Sequence, residues 1–526
     1  MMKLDYRISS KEGKVFEDTA SFEGALHLVV PFENETVEEI KAVVQLNVSD
    51  EEKIFMNGYQ TWTTCPEYTK DDRIRGLHNI PRPLIRRFAF DGYSDYHFTE
   101  YPYTKGILHG WSWCYFRRGG FYRLFASLSE KNGYTEFIYN DSEGTLTIRK
   151  DAEGLKADGD FEALNLYYAE GSEQQVFDSW FEMMDIRPIT DKKLYGYSSW
   201  YNRYQNIDEY AIEEDLKGCT SIFEKGDLFQ VDDGWEPFVG DWLECDSSKF
   251  PSGMKTIADH IHENGFEAGL WLAPFAAEEK SSVYREHPDW LIRNEDGSYF
   301  KAGSNWSGFY CLDIDNPEVI AYLEDVFHRV FDEWGFDLVK LDFLYAAAPY
   351  GSEKETRADR MIRAVDLLRR LCGKHPILGC GVPVMPAFGK FEYCRISCDV
   401  TLDWDDKAYM HMIHRERPST KNAVANILSR RALNGRAYLS DPDVFFLRTE
   451  NCQLSQKQKY SLAVLDALCG GVFLTSDDPG SYTKEMKEQY RLYRSLTKAA
   501  NVQIMNDRGI TAVYDLDDET TRRRLF

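Results

Sequence analysis

No stretch of the sequence is apolar over about 18 residues, the length that a membrane-spanning helix requires. The N-terminal stretch Met1–Lys14 has no apolar segment either, so we expect no signal peptide. Positive charge is also scarce, because 62 lysines and arginines stand against 87 aspartates and glutamates, for a net charge of −25. Such an acidic chain repels phosphate backbones. We therefore predict that neither a membrane nor a nucleic acid is a partner.

Regularly spaced cysteine pairs are absent, although the 526 residues include 11 cysteines. An odd number of scattered cysteines, in a chain that shows no export signal, is typical of reduced thiols. We therefore expect a protein of the cytoplasm.

Motifs for a metal, a nucleotide or a serine nucleophile are missing as well. His260 and His262 lie two apart in a predicted helix, so their rings point to different faces. His411 and His414 have no nearby cysteine and no His-Glu signature. The glycine-rich stretch 379–384 lacks the third glycine of a nucleotide-binding loop, and no Gly-x-Ser-x-Gly is present. We therefore expect neither a metal nor an organic cofactor.

Aromatic residues are plentiful, at 14% of the chain, which fits a β-rich domain or a carbohydrate-binding cleft. Residues 1–172 carry short alternating segments, such as 25–30 and 145–148, separated by turn signals. Strong helical periodicity is absent there, so we predict an N-terminal antiparallel β-sandwich. Within it, Met56–Thr63 joins an Asn-Gly turn to polar and aromatic residues, and is either a hairpin tip or a loop that reaches a ligand.

From residue 173 the pattern changes. Residues 173–190 predict a linker helix that ends at a proline. Over residues 191–484, apolar strands alternate with helices that carry end signals, such as Asn316-Pro317 and Gly373. The strands are predicted at 194–199, 227–232, 266–273, 336–342, 376–380, 393–399, 436–440 and 472–476. Eight strands each followed by a helix predict a multidomain chain with a central (β/α)8 barrel, since an open doubly wound sheet would need a nucleotide loop. Residues 485–526 predict a small C-terminal β appendage.

The stretch Phe336–Phe343 is the most informative of these strands. Lys340 and Asp342 lie two apart and therefore point to the same side of a strand. Burying both is costly unless they pair with each other or serve a ligand. In a parallel barrel, charged residues at the carboxyl end of a strand face the reaction centre. This stretch alone fits a catalytic carboxylate and a structural ion pair equally well.

The other predicted strands also end in polar or aromatic residues. If the strands form a barrel, these ends share one mouth, and carboxylates would meet tryptophans there. Carboxylates accept hydrogen bonds from sugar hydroxyls, tryptophan packs on the apolar face of a pyranose, and glycoside hydrolysis uses two carboxyl groups. In strand order, the residues are Trp200; Asp232 and Asp233; Trp271; Lys340 and Asp342; Cys380; Arg395 and Asp399; Asp441 and Asp443; and Asp477 and Asp478.

An ordered set of motifs between about residues 195 and 480 resembles the α-galactosidases of glycoside hydrolase family 36, the melibiases. The ordered set of motifs indicates this family much more specifically than any single motif does. It consists of Val231–Trp235, Gly240–Trp242, Lys249–Met254, Gly269–Phe275, His287–Trp290, Lys340–Asp342 and Arg395–Asp399. Two positions depart from the family pattern, since Tyr197 precedes Ser198-Ser199-Trp200 without the usual cysteine, and Cys398 stands where a proline is expected.

The resemblance implies a role for each matching residue. Asp342 matches the family's nucleophile and Asp399 its general acid/base. Asp232 and Asp233 match the pair that binds the axial 4-hydroxyl and the 6-hydroxyl of galactose. The remaining matches are Lys340 and Arg395, which contact hydroxyls beside the nucleophile; Trp271 and Trp200, which form walls of the pocket; Cys380, near the 2-hydroxyl; and Trp62, on a loop by which the N-terminal domain approaches the site.

The function that the resemblance implies is that of a retaining exo-acting α-galactosidase. Such an enzyme hydrolyses terminal α-galactosyl residues of oligosaccharides such as melibiose and raffinose by double displacement, without a metal or cofactor. An α-N-acetylgalactosaminidase or an α-galactosyl transferase on the same fold is the alternative, followed by a non-catalytic sugar-binding protein and a metal hydrolase. A small oligosaccharide is the expected partner, and a homo-oligomer is compatible with the sequence.

Overall fold

The structure is a computed structural model that describes residues 2–405, 413–507 and 509–526. Its first region is an antiparallel sheet that continues without a break through all the strands of residues 2–172. These strands are β1 (Met2–Ser10), β2 (Val15–Phe22), β3 (Gly24–Gln45), β4 (Lys53–Met56), β5 (Glu67–Tyr68), β6 (Ile107–Trp111), β7 (Trp113–Arg118), β8 (Phe121–Ser127), β9 (Thr135–Asn140), β10 (Thr145–Lys150) and β11 (Lys156–Ser172).

The long strand β3 links the two halves of this sheet. Its first part pairs with β11 and its second part pairs with β1 and β10. The two halves share one apolar core, because the rings of Phe116 on β7 and Tyr139 on β9 pack edge to face with their centroids 5.4 Å apart. The expected antiparallel N-terminal region is confirmed.

One helix of this region was not expected from the sequence. Helix α1 (Arg82–Phe88) follows Pro81 and has a second proline in its first turn. It ends at Ala89, whose φ of 46° is left-handed. None of its seven residues is buried. A helix of two turns is too short to produce a clear period in the sequence, and its two prolines indicate a loop.

Helix α2 (Glu173–Met183) leads from the sheet to the second region. Its first turn is a capping box, in which Ser172 accepts from the backbone N–H of Gln175 and the Gln175 side chain accepts from that of Ser172. One face of the helix is apolar and packs under the N-terminal sheet; its buried residues are Val176, Phe177, Trp180 and Phe181.

The second region is built on a parallel sheet, as predicted. The strands follow in the order β21-β20-β19-β18-β14-β13-β12-β23-β22, and β15, β16 and β17 form a small separate sheet. Their bounds are β12 (Leu194–Ser198), β13 (Leu228–Val231), β14 (Glu267–Leu272), β15 (Ala276–Glu278), β16 (Lys301–Gly303), β17 (Phe309–Cys311), β18 (Leu338–Leu341), β19 (Ile377–Gly379), β20 (Tyr393–Arg395), β21 (Leu439–Asp441), β22 (Val444–Phe445) and β23 (Val472–Thr475).

The two ends of this parallel sheet are consecutive in the chain. Strands β21 and β22 are separated only by Pro442 and Asp443. β21 pairs with β20 on one side, and β22 pairs with β23 on the other. A single chain segment therefore connects the first and last strands of the sheet.

Helices lie between most of these strands. Asn316 caps one helix as expected, since its side chain accepts from the backbone N–H of Glu318 at 2.9 Å. Gly373, with φ 55°, ends another. The helices are α3 (Trp200–Arg203), α4 (Glu209–Cys219), α5 (Gly253–Glu263), α6 (Ser282–Glu286), α7 (Pro317–His328), α8 (Arg357–Cys372), α9 (Thr420–Arg430), α10 (Gln456–Cys469) and α11 (Lys484–Leu496). None of the helices in the described ranges has the length and apolar character needed to cross a membrane.

The observed strands are shorter than the predicted ones. The sixth was predicted to reach residue 399 but ends at Arg395, because the next backbone groups turn toward β21 and the N–H of Val400 donates to the Asp443 carboxylate at 2.9 Å. After helix α11 the chain forms three antiparallel strands, β24 (Ala500–Met505), β25 (Thr511–Leu516) and β26 (Glu519–Arg524), in a sheet of their own.

Candidate active site

A cavity of about 600 Å³ lies at the carboxyl ends of the parallel strands. Its inner part contains carboxylates, one lysine and several aromatic rings. Most of these residues lie at or just after the ends of β12, β13, β14, β18 and β20, and Trp306 lies between β16 and β17. Eight of the ten residues predicted for the site line the cavity. They are Trp62, Trp200, Asp232, Asp233, Trp271, Lys340, Asp342 and Asp399.

Asp342 is held at the base of the cavity by the end of β18. Its backbone N–H continues the sheet by donating to Leu272 at 2.8 Å. The indole of Trp271 donates to one carboxylate oxygen at 3.1 Å, and the backbone N–H of Phe343 donates to the other at 2.9 Å. Phe343 adopts a left-handed φ of 54°, an uncommon conformation for a residue of its size. Both oxygens of the Asp342 carboxylate are therefore fixed in orientation.

The charge of Asp342 depends on opposing influences. Burial raises its pKa, the Lys340 ammonium lowers it, and the Asp399 carboxylate raises it, with a net increase above the ordinary value. Lys340 itself donates to Asp232 at 2.9 Å. Although burial lowers the pKa of Lys340, the carboxylates of Asp232 and Asp342 raise it further, so the lysine stays charged. One buried cation thus serves two carboxylates of the cavity.

Asp399 has a more open environment than Asp342. Its side chain is 35% exposed, and one of its oxygens accepts from Arg395 at 2.8 Å. The buried Arg395 guanidinium also bonds Asp441 and Asp443, each at 3.0 Å. Burial raises the pKa of Asp443 to about 7, an effect that Arg395 opposes and that Asp399 and Asp441 reinforce. Arg395 does not line the cavity but supports Asp399 from behind.

Asp232 and Asp233 are both buried, and we call the part of the cavity that they line its closed end. Asp232 accepts from Gln230 at 2.7 Å as well as from Lys340. Asp233 accepts from the indole of Trp306 at 2.9 Å and from the side chain of Gln205 at 3.0 Å. Both carboxylates can still accept hydrogen bonds from a ligand, because a carboxylate offers about four acceptor positions.

Trp62 reaches this site from the N-terminal region. Its ring packs edge-on against Phe343, with centroids 4.9 Å apart, and its indole N–H donates to the sulfur of Cys380 at 3.1 Å. Cys380 is fully buried behind Trp62 and does not line the cavity. Cys380 nevertheless acts on the site from behind this wall, because its thiol lowers the pKa of Asp342.

The segment that carries Trp62 is anchored to the second region and is not a free hairpin tip. The backbone N–H of Thr61 donates to Val382 at 3.0 Å. The buried guanidinium of Arg430, at the end of α9, donates to several groups of this segment. The acceptors are the Asn57 side chain and the backbone carbonyls of Gly58, Gln60 and Thr61. The segment is therefore a fixed wall of the cavity.

Several lining residues were missed in the sequence. Trp306 packs edge-on against Trp271 and at a tilted angle against Phe343. It lies in the turn Asn305-Trp306-Ser307-Gly308, which the sequence indicates as a loop but not as the end of a strand. Glu416 accepts from Thr63 at 2.7 Å and from Tyr96 at 2.8 Å, and its role depends on contacts between distant segments. The residues around α1 were missed with the helix itself.

The candidate metal ligands take other roles. His260 pairs with Glu213, and His262 donates to the Asp337 carboxylate at 2.8 Å, so the two rings serve different partners. His411 lies outside the described residues. Within the described part of the chain, no group of three or more histidine, cysteine or acidic side chains is arranged to hold a metal ion.

Comparisons with known proteins agree with this geometry. A family model described as Melibiase matches residues 198–379. An α-galactosidase of Escherichia coli is 27% identical over 318 residues, which are 57% of this chain and 40% of that protein. An α-galactosidase of Lactobacillus acidophilus is 27% identical over 205 residues, or 36% of this chain and 26% of that protein. The chain thus spans less than half of the length of these curated relatives.

Among solved structures, the chain is similar to the α-galactosidase TtGalA of Thermus thermophilus, determined in complex with p-nitrophenyl α-D-galactopyranoside. The TM-score is 0.74 at 25% identity, and the match covers 94% of this chain and 98% of that one. The family match includes the strands that carry Asp232 and Asp342, and the structural match extends over both regions of the fold. The chain is therefore similar to the melibiases over residues 198–379 and to a solved α-galactosidase over nearly its whole length.

Proposed function

We propose that this chain is a retaining exo-acting α-galactosidase that hydrolyses terminal α-galactosyl residues of oligosaccharides such as melibiose and raffinose. The observation that carries the proposal is the pair Asp342 and Asp399, which line one cavity in different environments. The similar Thermus protein was solved with p-nitrophenyl α-galactoside and with stachyose, at 25% and 26% identity, which supports a galactoside as the ligand.

In the proposed first step, an oxygen of the ionised Asp342 carboxylate attacks the anomeric carbon. The bond from that carbon to the leaving oxygen breaks, and Asp399 gives its proton to this oxygen. In the second step Asp399 takes a proton from water, whose oxygen displaces Asp342 from the anomeric carbon. Two inversions retain the α configuration. The exposure of Asp399 suits this exchange with leaving group and water, whereas Asp342 is buried and held by two donors.

The closed end of the cavity supports exo action. Asp232 and Asp233 stand there as acceptors for the hydroxyls at one end of a sugar, and Trp306 covers Asp233. A sugar bound against these carboxylates has no room for a further unit on that side, so only a terminal residue fits. As the family resemblance implies, the 4-hydroxyl and 6-hydroxyl of galactose would be the groups bound.

We extend the proposal to the finer points of the fold and the setting. The connection of β21 and β22 through Pro442 and Asp443 supports a closed (β/α)8 barrel over residues 191–484. The shared core of residues 1–172 supports a β-sandwich, and β24–β26 support a C-terminal β appendage. All eleven cysteines are unpaired, which supports a reducing, cytoplasmic location.

Hydrolysis of p-nitrophenyl α-galactoside, beside the α-N-acetylgalactosaminide and the α-glucoside, tests this function. We expect nitrophenol release from the galactoside, with the α anomer as first product and no loss of rate when a chelator is added. Preference for the N-acetyl sugar would keep the mechanism and change the substrate. Absence of release from all three glycosides contradicts the proposal and favours a transferase or a binding protein.

Variants at the two carboxylates test their roles separately. We expect Asp342→Ala to abolish hydrolysis, and added azide to yield only the β-galactosyl azide, because azide then attacks from the face that the nucleophile has vacated. We expect Asp399→Ala to retain more activity on the nitrophenyl galactoside than on melibiose, since a good leaving group needs no proton. Near-normal activity of Asp342→Ala would refute the assignment.

A further inference from the structure

The outer half of the cavity differs in chemistry from its inner half. The inner half holds the carboxylates and Lys340. The outer half is lined by apolar side chains of the N-terminal region, which approach from the side opposite the parallel strands. These are Ile80, Pro81, Leu84, Phe88 and Phe90.

Helix α1 presents one apolar face to this space. Pro81, Leu84 and Phe88 are spaced by three and four residues, so they lie on the same side of the helix. Leu84 is 42% exposed and Phe88 is 38% exposed although both line the cavity. Apolar side chains exposed together next to a reaction centre mark a surface that a ligand covers.

Aromatic rings extend this apolar wall toward the carboxylates. Phe88 stacks on Phe90 with centroids 5.4 Å apart. Phe90 lies 5.6 Å from the ring of His414, and His414 stacks on Tyr93 at 4.5 Å. The wall therefore runs without a gap from the exposed helix to residues that share the cavity with Asp399.

Two polar side chains near this wall already hold hydrogen bonds within the protein. Glu416 accepts from Thr63 and Tyr96. Asn305 accepts from the Tyr93 hydroxyl at 2.5 Å. A second sugar placed against the apolar side chains of the wall would bury hydroxyls that these side chains cannot pair with, which costs binding energy. An alkyl chain or an aromatic ring carries no such cost and would cover the exposed carbons of Leu84 and Phe88.

We propose that this wall binds the aglycone, and that the preferred substrates are α-galactosides of apolar alcohols or phenols, ahead of galactosyl oligosaccharides. The inference rests on the proposed α-galactosidase function and names the chemical class that leaves. The occupant is the leaving group because the wall shares one continuous cavity with Asp399, the residue proposed to protonate it.

A series of alkyl α-galactosides tests this preference, because methyl, butyl and octyl alcohols are leaving groups of similar reactivity. We expect kcat/KM to rise from methyl to octyl by about tenfold or more, as buried methylene groups add affinity, and we expect octyl galactoside to exceed melibiose. Leu84→Ser and Phe88→Ser should reduce the ratio of octyl to methyl kcat/KM. The control is Phe121→Ser, a 52% exposed phenylalanine on β8 outside the cavity, which should leave the ratio unchanged.

Three results would overturn the inference, and they differ from one another. Hydrolysis of methyl galactoside with no gain along the series would refute the apolar preference while the proposed function stands. Absence of turnover on every galactoside would refute the proposed function and the inference with it. If Phe88→Ser lowers the molar mass in light scattering and leaves the octyl-to-methyl ratio intact, the wall binds a second copy of the chain instead.

Discussion

The charge of Lys340 is central to the chemistry of the site. This single ammonium donates to Asp232 at 2.9 Å and lowers the pKa of the buried Asp342 carboxylate. The proposed nucleophile must be ionised to attack, so under this proposal the lysine determines the lowest pH at which Asp342 can react. Its second contact, with Asp232, concerns the proposed binding of the sugar.

Replacing Lys340 with methionine should move the acid limb of the kcat/KM profile to higher pH. Without the ammonium, burial and Asp399 raise the pKa of Asp342 against only the smaller opposing effects of Cys380 and Trp271, so more of the enzyme carries a protonated, inactive nucleophile. We expect a shift of about one pH unit or more. The profile of p-nitrophenyl α-galactoside hydrolysis gives the measurement, and Lys340→Arg, which retains a cation, is the matched control. An unchanged acid limb in the methionine variant would contradict this account.

Residue positions at strand ends could be predicted, but side-chain contacts from distant segments could not. Asp232 and Asp342 follow apolar strands directly, so periodicity alone indicates where they point. Cys380 also directly follows an apolar strand. It does not line the cavity, however, because Trp62, which lies 318 residues earlier in the chain, covers it. Arg395 is drawn behind the cavity wall by Asp441 and Asp443, and nothing local in the sequence indicates this network.

At the scale of elements, the segment 57–63 and helix α9 act as one unit. Arg430 ends α9 and bonds the side chain or backbone carbonyl of four residues in the segment, as well as the carbonyl of Ile396 after β20. It thus ties the N-terminal region, the sixth parallel strand and the helix that follows this strand together at one buried point. The position of Trp62 follows from this contact.

We expect Arg430→Lys to raise KM for p-nitrophenyl α-galactoside more than it lowers kcat. A lysine keeps the charge, but its single ammonium cannot reach all the acceptors that the planar guanidinium group of Arg430 reaches. Buried carbonyls then lose their hydrogen-bond donors, and the segment that carries Trp62 is held less firmly. Thermal unfolding should indicate a loss of about 2 kcal/mol or more. Arg370→Lys, on the exposed surface of α8, is the control. Unchanged KM would mean that the segment holds its place without this arginine.

Helices and strands with a strong apolar periodicity in the sequence were predicted well. Elements whose bounds depend on tertiary contacts were not. The alternation of strands and helices after residue 190 indicated the parallel region because each element carries its own apolar pattern. Helix α1 escaped detection because its two prolines resemble a loop and its apolar face meets a cavity instead of a core. The early end of β20 depends on the Asp443 side chain, 48 positions after Arg395, which no local pattern reveals.

At the scale of the whole molecule, stability should depend on a buried acid far from the site. Glu130 lies under the N-terminal sheet, accepts from the N–H of Thr135 at 2.6 Å and stands 4.0 Å from Lys150. Burial raises its pKa to about 7, although Lys150 opposes this. The folded protein therefore retains a proton on Glu130 over a pH range in which the unfolded chain has released it.

The sign of this effect gives a testable pH dependence. Because the folded state binds more protons between the unfolded pKa of Glu130 and about pH 7, the free energy of unfolding falls as pH rises through that window. Glu130→Gln stays neutral and should remove this part of the fall, on the order of 2 kcal/mol. Urea unfolding at pH 5.5 to 7.5 measures the difference. The exposed Glu153→Gln serves as control, and parallel curves for wild type and Glu130→Gln would disprove the assignment.

The link between Arg430 and the segment 57–63 has a consequence for the order of events during synthesis. Gln60 leaves the ribosome 370 residues before the arginine that holds it. A nascent chain that has just passed Asp399 already contains every carboxylate of the inner cavity, but the tryptophan wall from the N-terminal region still lacks its anchor. The N-terminal sheet can fold early, whereas its active-site contribution takes effect only after α9 has been made, so the reactive carboxylates are enclosed at a late stage of synthesis.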